Sequence, residues 1–163
     1  MNRREFVAAA SLGVGVPEAE ARGETQEGVA SGMQSGRPAP RILAVSAHPA
    51  DFCSRAGGTL IKHVRAGAKV KVIWLTQGES DESAFLLQQR PGISVEEVRQ
   101  IREKEAFACA EVIGAEGKMF GFGDGQLRMT PERMEMLARE MADFKPTMIL
   151  THWKDELTYS SPA

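Results

Sequence analysis

Four short runs, Ile42–Val45, Val70–Leu75, Lys118–Phe122 and Thr147–Leu150, alternate with stretches of helical apolar period, and this alternation restricts the fold more than any other feature. Runs such as Ile42–Val45, apolar at every position, suit strands buried on both faces. Between them, Gly57–Ala66 carries Leu60, Ile61 and Val64 at helical spacing and is closed by Gly67. Ser94 and Glu97 form a capping box that opens a long helix bearing Val98, Ile101, Ala106, Ala108, Val112 and Ile113, which Gly114 stops. Thr130 caps a further helix from Pro131 to Phe144, with proline at its first position. Ser80–Ile93 reads as a polar loop. Repeated strand–helix units imply an α/β class: a right-handed, Rossmann-like parallel sheet with helices on both faces.

The ends of the chain read differently. Arg3-Arg4 and Phe6, followed by the small apolar segment Val7–Val16, have the pattern of a twin-arginine export signal, with Ala19-Glu20-Ala21 as its cleavage site. Residues 1–21 are therefore expected to be a signal peptide, residues 22–40 a flexible Gly/Ser/Pro-rich linker, and residues 41–163 the folded domain. Export to the periplasm follows from that reading, with a cytoplasmic protein as the alternative. No transmembrane segment is expected, because the apolar stretch is far shorter than the ~20 residues that span a bilayer. A net charge of -2 and the lack of a basic stripe give no basis for nucleic-acid binding. Cys53 and Cys109 lack metal-knuckle spacing; an exported protein could join them, but Cys109 falls on the apolar face of its helix, and a buried free thiol is the expectation. No helix follows the last strand before Ser160-Ser161-Pro162-Ala163, so the domain reads as C-terminally truncated. A partly built sheet of this kind is compatible with a homo-oligomer.

His48-Pro49-Ala50-Asp51 follows the first strand and precedes Gly57-Gly58, a glycine pair expected to open the next helix. Imidazole and carboxylate are a normal ligand pair for zinc or a similar divalent ion. In a parallel sheet the ends of the strands carry the site, and His48, Asp51, Thr76, Glu79, Asp124, His152 and Asp155 all fall at that edge. No phosphate-cradling glycine loop is present.

On these residues the chain resembles the PIG-L/LmbE-like family of zinc-dependent N-acetylglucosaminyl deacetylases. The resemblance rests on His48-Pro49-Ala50-Asp51, Gly57-Gly58-Thr59-Leu60, Leu75-Thr76-Gln77-Gly78, Arg102 with Glu105-Ala106, Asp124-Gly125 and Thr151-His152, and runs from about Arg41 to the C-terminus. It implies that His48 and Asp51 are metal ligands, that Zn2+ or another divalent metal is the cofactor, and that Arg102 and Asp124 shape a substrate pocket. The family's general base, the aspartate after proline, is replaced by Ala50, leaving Asp155 as a candidate. The family's third metal ligand matches Ser161, after Ser160, and its acid histidine falls near Thr158; His152 is the candidate replacement ligand. Ala50, with Asp51-Phe52 and Arg55-Ala56-Gly57-Gly58, resembles a branch of the family that looks like 4-oxalomesaconate hydratase. The implied partner is a small-molecule substrate: an N-acetylated sugar for a deacetylase, or an unsaturated dicarboxylate for a hydratase. A non-catalytic remnant that keeps the fold is the third reading.

Overall fold

The computed structural model describes residues 38–125 and 127–152. The expected signal peptide (1–21), most of the linker, and Asp155, Thr158, Ser160 and Ser161 lie outside the described residues. The described part contains β1 (Arg41–Ser46), α1 (Pro49–Arg65), β2 (Lys69–Thr76), a single 3-10 turn (Asp81–Ser83), α2 (Ala84–Gln89), α3 (Val95–Ile113), β3 (Glu116–Phe122), α4 (Pro131–Phe144) and β4 (Met148–Leu150).

The four strands form one parallel sheet in the order β3-β2-β1-β4. The chain steps outward from β1 to β2 to β3, then crosses back to place β4 on the other side of β1. The order of strand addition therefore reverses between β1 and β4, and such a switch point opens a crevice at the strands' C-terminal ends.

β1 is apolar from Ile42 to Val45 because both of its faces are covered there. Ile42 and Ala44 pack into a cluster with Phe52 and Leu60 of α1 and Ala106, Ala110 and Ile113 of α3. Leu43 and Val45 turn the other way, onto Phe144, with Leu137 and Met141 of α4 beside it. Trp74 of β2 is fully buried and sits edge-on between Phe52 and Phe107, with ring centroids 5.4 and 5.3 Å away. Ser94 accepts a hydrogen bond from the Glu97 N–H, and Gly114 closes α3 at φ 81°, a left-handed conformation that glycine adopts without steric cost. Thr130 caps α4 in the same manner as Ser94.

Three sequence expectations are corrected. α1 begins at Pro49, not at the glycine pair, so Asp51 lies in its first turn and Gly57-Gly58 lies in its middle. Proline at the first helical position, together with a hydrogen bond from the His48 N–H to Asp51 Oδ2 (3.0 Å), outweighs the poor helix propensity of glycine. The Ser80–Ile93 segment is not all loop but contains the 3-10 turn and α2. Cys53 and Cys109 are joined by a disulfide, because α1 and α3 lie side by side on one sheet face and their apolar sides meet. No helix among the described residues is long and apolar enough to cross a membrane.

Candidate metal centre

The loop after β1 and the first turn of α1 present His48 and Asp51 at the crevice between β1 and β4. His152, directly beyond β4, faces them from the other side, with Nε2 3.3 Å from Asp51 Oδ2. From the β2 side, Thr76, Glu79 and Ser80 gather around Asp124, which follows β3. Six of the seven polar residues read at the sheet edge thus meet in one place.

Asp124 is the anchor of this arrangement. Its side chain is only 3 % exposed, and both of its oxygens accept hydrogen bonds. Oδ1 accepts from His48 Nε2 (2.7 Å) and Thr76 Oγ1 (3.2 Å); Oδ2 accepts from the Ser80 N–H (3.1 Å) and from Ser80 Oγ. The Asp124 N–H points to Glu79 Oε1 (3.4 Å), and Arg99 holds that oxygen through Nη2 at 2.6 Å.

Glu82 was not singled out in the sequence, because its segment read as loop. The turn after Gly78 brings its carboxylate back over the start of α1, where Oε1 accepts from the Ala50 N–H (2.9 Å) and Oε2 from Arg102 Nη2 (2.7 Å). Gly78 has φ 66°, a left-handed conformation that favours glycine, and an added Cβ would push the Glu82 carboxylate from its place. The sequence signal for this closure was the Gly78-Glu79 pair at the strand end followed closely by Asp81-Glu82.

Clustered carboxylates set the protonation of the histidine. Asp51 exerts the largest upward pull on His48, burial opposes it and Asp124 adds to the rise, so the imidazole is lifted from 6.5 to about 9. Burial disfavours the Asp51 carboxylate, but the hydrogen bonds from the His48 side chain and backbone outweigh it and hold Asp51 below its usual value. Asp124 behaves likewise: burial opposes ionisation, and the hydrogen bonds from Ser80, with the His48 contact, overcome it.

The donor set fits a divalent cation. His48, Asp51 and Glu82 each offer one ligand atom, all within 4.8 Å of one another. His48 Nδ1 stands 3.5 Å from Asp51 Oδ2. Two donors that share a tetrahedral ion at zinc-like bond lengths stand roughly 3.3–3.6 Å apart. His152 is placed less freely, because its Nε2 accepts a hydrogen bond from the Ala47 N–H at 3.2 Å. Beside these groups a cavity of about 300 Å³ opens between α1 and β4, lined in part by Asp51, Phe52, Arg55 and His152. That volume lies at the lower end for a small-molecule pocket. Arg102 is on the opposite side of α1, paired with Glu82 and Glu105.

A parallel α/β sheet with a His–carboxylate cluster at its reversal point defines the class as an α/β protein with a candidate metal centre. Residues 43–160 match the GlcNAc-PI de-N-acetylase (PIG-L) family, and the chain belongs to that family. It is 38% identical over 127 residues to a 4-oxalmesaconate hydratase of Pseudomonas putida, an alignment that takes in 77% of this chain and 48% of the relative. It is 31% identical over 137 residues to a 1D-myo-inositol 2-acetamido-2-deoxy-alpha-D-glucopyranoside deacetylase of a Mycobacterium species, covering 71% of this chain and 44% of that protein. Among solved structures, the 4-carboxy-2-hydroxymuconate hydratase GalB of Pseudomonas putida superimposes with a TM-score of 0.66 at 34% identity, over 69% of this chain and 47% of that one. The N,N'-diacetylchitobiose deacetylase of Pyrococcus horikoshii shares the fold, with a TM-score of 0.63 at 23% identity over 74% and 43% of the two chains. The chain spans about half the length of the relatives it matches.

Proposed function

We propose that this chain carries the metal-binding part of a site that adds water across the double bond of an unsaturated dicarboxylate. The carrying observation is at residue 50. His48 and Asp51 keep a zinc-like spacing on either side of it, while Ala50 offers only a methyl group and an N–H that Glu82 already holds. Nothing at that position can take a proton from water, and loss of a positioned base typically costs ~10²–10⁴ in rate in a reaction that needs it. The 38% identity to a hydratase supports the same reading.

His48 and Asp51 hold the ion in this proposal, with Glu82 or His152 as the third donor. A divalent cation there supplies Lewis-acid polarisation of a substrate oxygen. Arg55, on the cavity wall beside Asp51, offers a guanidinium suited to a substrate carboxylate, and Arg102 holds Glu82 in place. Asp155 remains the candidate for moving the proton. Export to an oxidising compartment is part of the proposal, supported by the twin-arginine-like pattern Arg3-Arg4-Glu5-Phe6 and by the Cys53–Cys109 bond.

Deacetylation is the second reading, favoured by the family match and by the 31%-identical deacetylase. The full chain loaded with zinc separates the two. Loss of the ultraviolet absorbance of a conjugated unsaturated dicarboxylate is expected, without acetate release from N-acetylglucosaminides. Acetate release alone would replace the hydratase reading by the deacetylase one. Zinc binding without either reaction would leave a binding protein.

A further inference from the structure

The geometry points to Asp124 as a positioning residue that holds the proton of His48 on Nε2 and so turns Nδ1 into the metal donor. This rests on the reading that His48 and Asp51 share a divalent ion. The resemblance implies that Asp124 shapes a substrate pocket; its hydrogen bonds in the structure run to Ser80, Thr76 and His48. Both oxygens are occupied by Ser80, Thr76 and His48, and the side chain is 3 % exposed.

Oδ2 is fixed by two donors of Ser80, one of them a backbone N–H that cannot reverse its role. Oδ1 is left facing Thr76 Oγ1 and His48 Nε2, at 3.2 and 2.7 Å. A carboxylate can only accept, so the 2.7 Å contact requires a proton on Nε2. In a neutral imidazole the lone pair then sits on Nδ1, the nitrogen that faces Asp51 Oδ2 at 3.5 Å. A carboxylate behind a ligating histidine fixes its tautomer and orientation, and its loss typically costs ~10–100-fold in metal affinity.

Asp124→Asn tests this with almost no change in shape. The amide must direct its oxygen to the irreversible Ser80 N–H, which aims its NH₂ at His48. His48 then accepts at Nε2 and carries its proton on Nδ1, where it blocks the ion. Only three histidines are present, so the ring nitrogens of His48 can be assigned by long-range proton–nitrogen NMR.

In the chelator-treated full chain at pH 10, the expected result is a proton on Nε2 in the parent and on Nδ1 in Asp124→Asn. A proton on Nδ1 in the parent would overturn the inference without any variant being made. Zinc titration against a chromophoric chelator then reads the consequence, with binding expected to weaken 10–100-fold in Asp124→Asn. Unchanged zinc affinity in a variant shown by urea unfolding to be folded would also overturn it. If the parent binds no zinc, the metal reading itself fails, and the tautomer measurement still decides the role of Asp124.

Discussion

The two flanks of the crevice are built in opposite ways. On the β1–β2 side, His48 is backed by Asp124, which Ser80 and Thr76 hold from beneath. The strands under it are buried from Ile42 to Ser46 and from Val70 to Trp74, with Leu43 and Ile73 fully inaccessible. On the β4 side, three residues pair with β1, Met148 and Ile149 are each 44 % exposed, and His152 is positioned by the Ala47 N–H. One flank is preorganised by buried polar bonds; the other is a short strand carrying a single histidine. A ligand held by a buried network keeps its geometry before any ion arrives, whereas one on a lightly packed strand must be ordered by what it binds.

The sharpest way to break this contrast is through packing. Leu43→Ala should cost about 2–5 kcal/mol in urea unfolding, because it empties a fully buried site. Ile149→Ala, on the exposed strand, should cost less than about 1 kcal/mol. Equal losses would show that β4 is as much a part of the core as β1.

Metal affinity should show the same asymmetry at the site. His48→Ala is expected to weaken zinc binding by more than about 100-fold, exceeding the ~10–100-fold loss of a supporting residue. His152→Ala should have a smaller effect, since its Nε2 already accepts from the Ala47 N–H. A larger loss from His152→Ala, read in the same chelator competition, would reverse the ranking of the two flanks.

Acid–base behaviour gives a third, smaller effect. His48 is raised from 6.5 to about 9 in the folded chain, so its contribution to stability is complete below pH 6.5 and is lost as pH rises through 9. Urea unfolding of the chelator-treated chain should therefore fall in stability between pH 6.5 and 9, and His48→Gln should flatten that slope. Asp51 and Asp124, both held below their usual values, contribute in the opposite sense: their stabilisation is lost as pH falls through the acid range.

The smallest expected change lies away from both flanks. Gly58 is in the middle of α1, exposed, and an added Cβ would meet no atom within 4 Å. Gly58→Ala should raise stability by roughly 0.5–1 kcal/mol, with zinc affinity unchanged. A loss of affinity would show that backbone freedom in α1 matters to the Asp51 turn.

Much of the architecture was legible in the residues. The uninterrupted apolar run Ile42–Val45 called for a strand covered on two sides, and the caps Ser94 and Thr130 and the stop Gly114 stand where the helices begin and end. The start of α1 was misread because Gly57-Gly58 has the look of a boundary, while the signals that count, Pro49 and the bond from the His48 N–H to Asp51, lie eight residues earlier. The disulfide ranked below a free thiol because nothing in the spacing of Cys53 and Cys109 shows that their helices are neighbours. The site was legible as a list of strand-end residues, but not as a network. Glu82 was hidden in a segment without apolar period, and the hold of Asp124 on His48 joins residues 76 apart in sequence.

The sequence alone determined the parallel sheet, the family and the presence of His48 and Asp51 with Ala50 between them, because periodicity, caps and motif spacing are properties of neighbouring residues. Only the tertiary structure decided that Nε2 of His48 meets Asp124, that the Asp124 side chain is buried, and that the Glu82 carboxylate lies over the start of α1. Those outcomes depend on which donors and acceptors the strand order β3-β2-β1-β4 brings within hydrogen-bonding distance, and no local pattern encodes that.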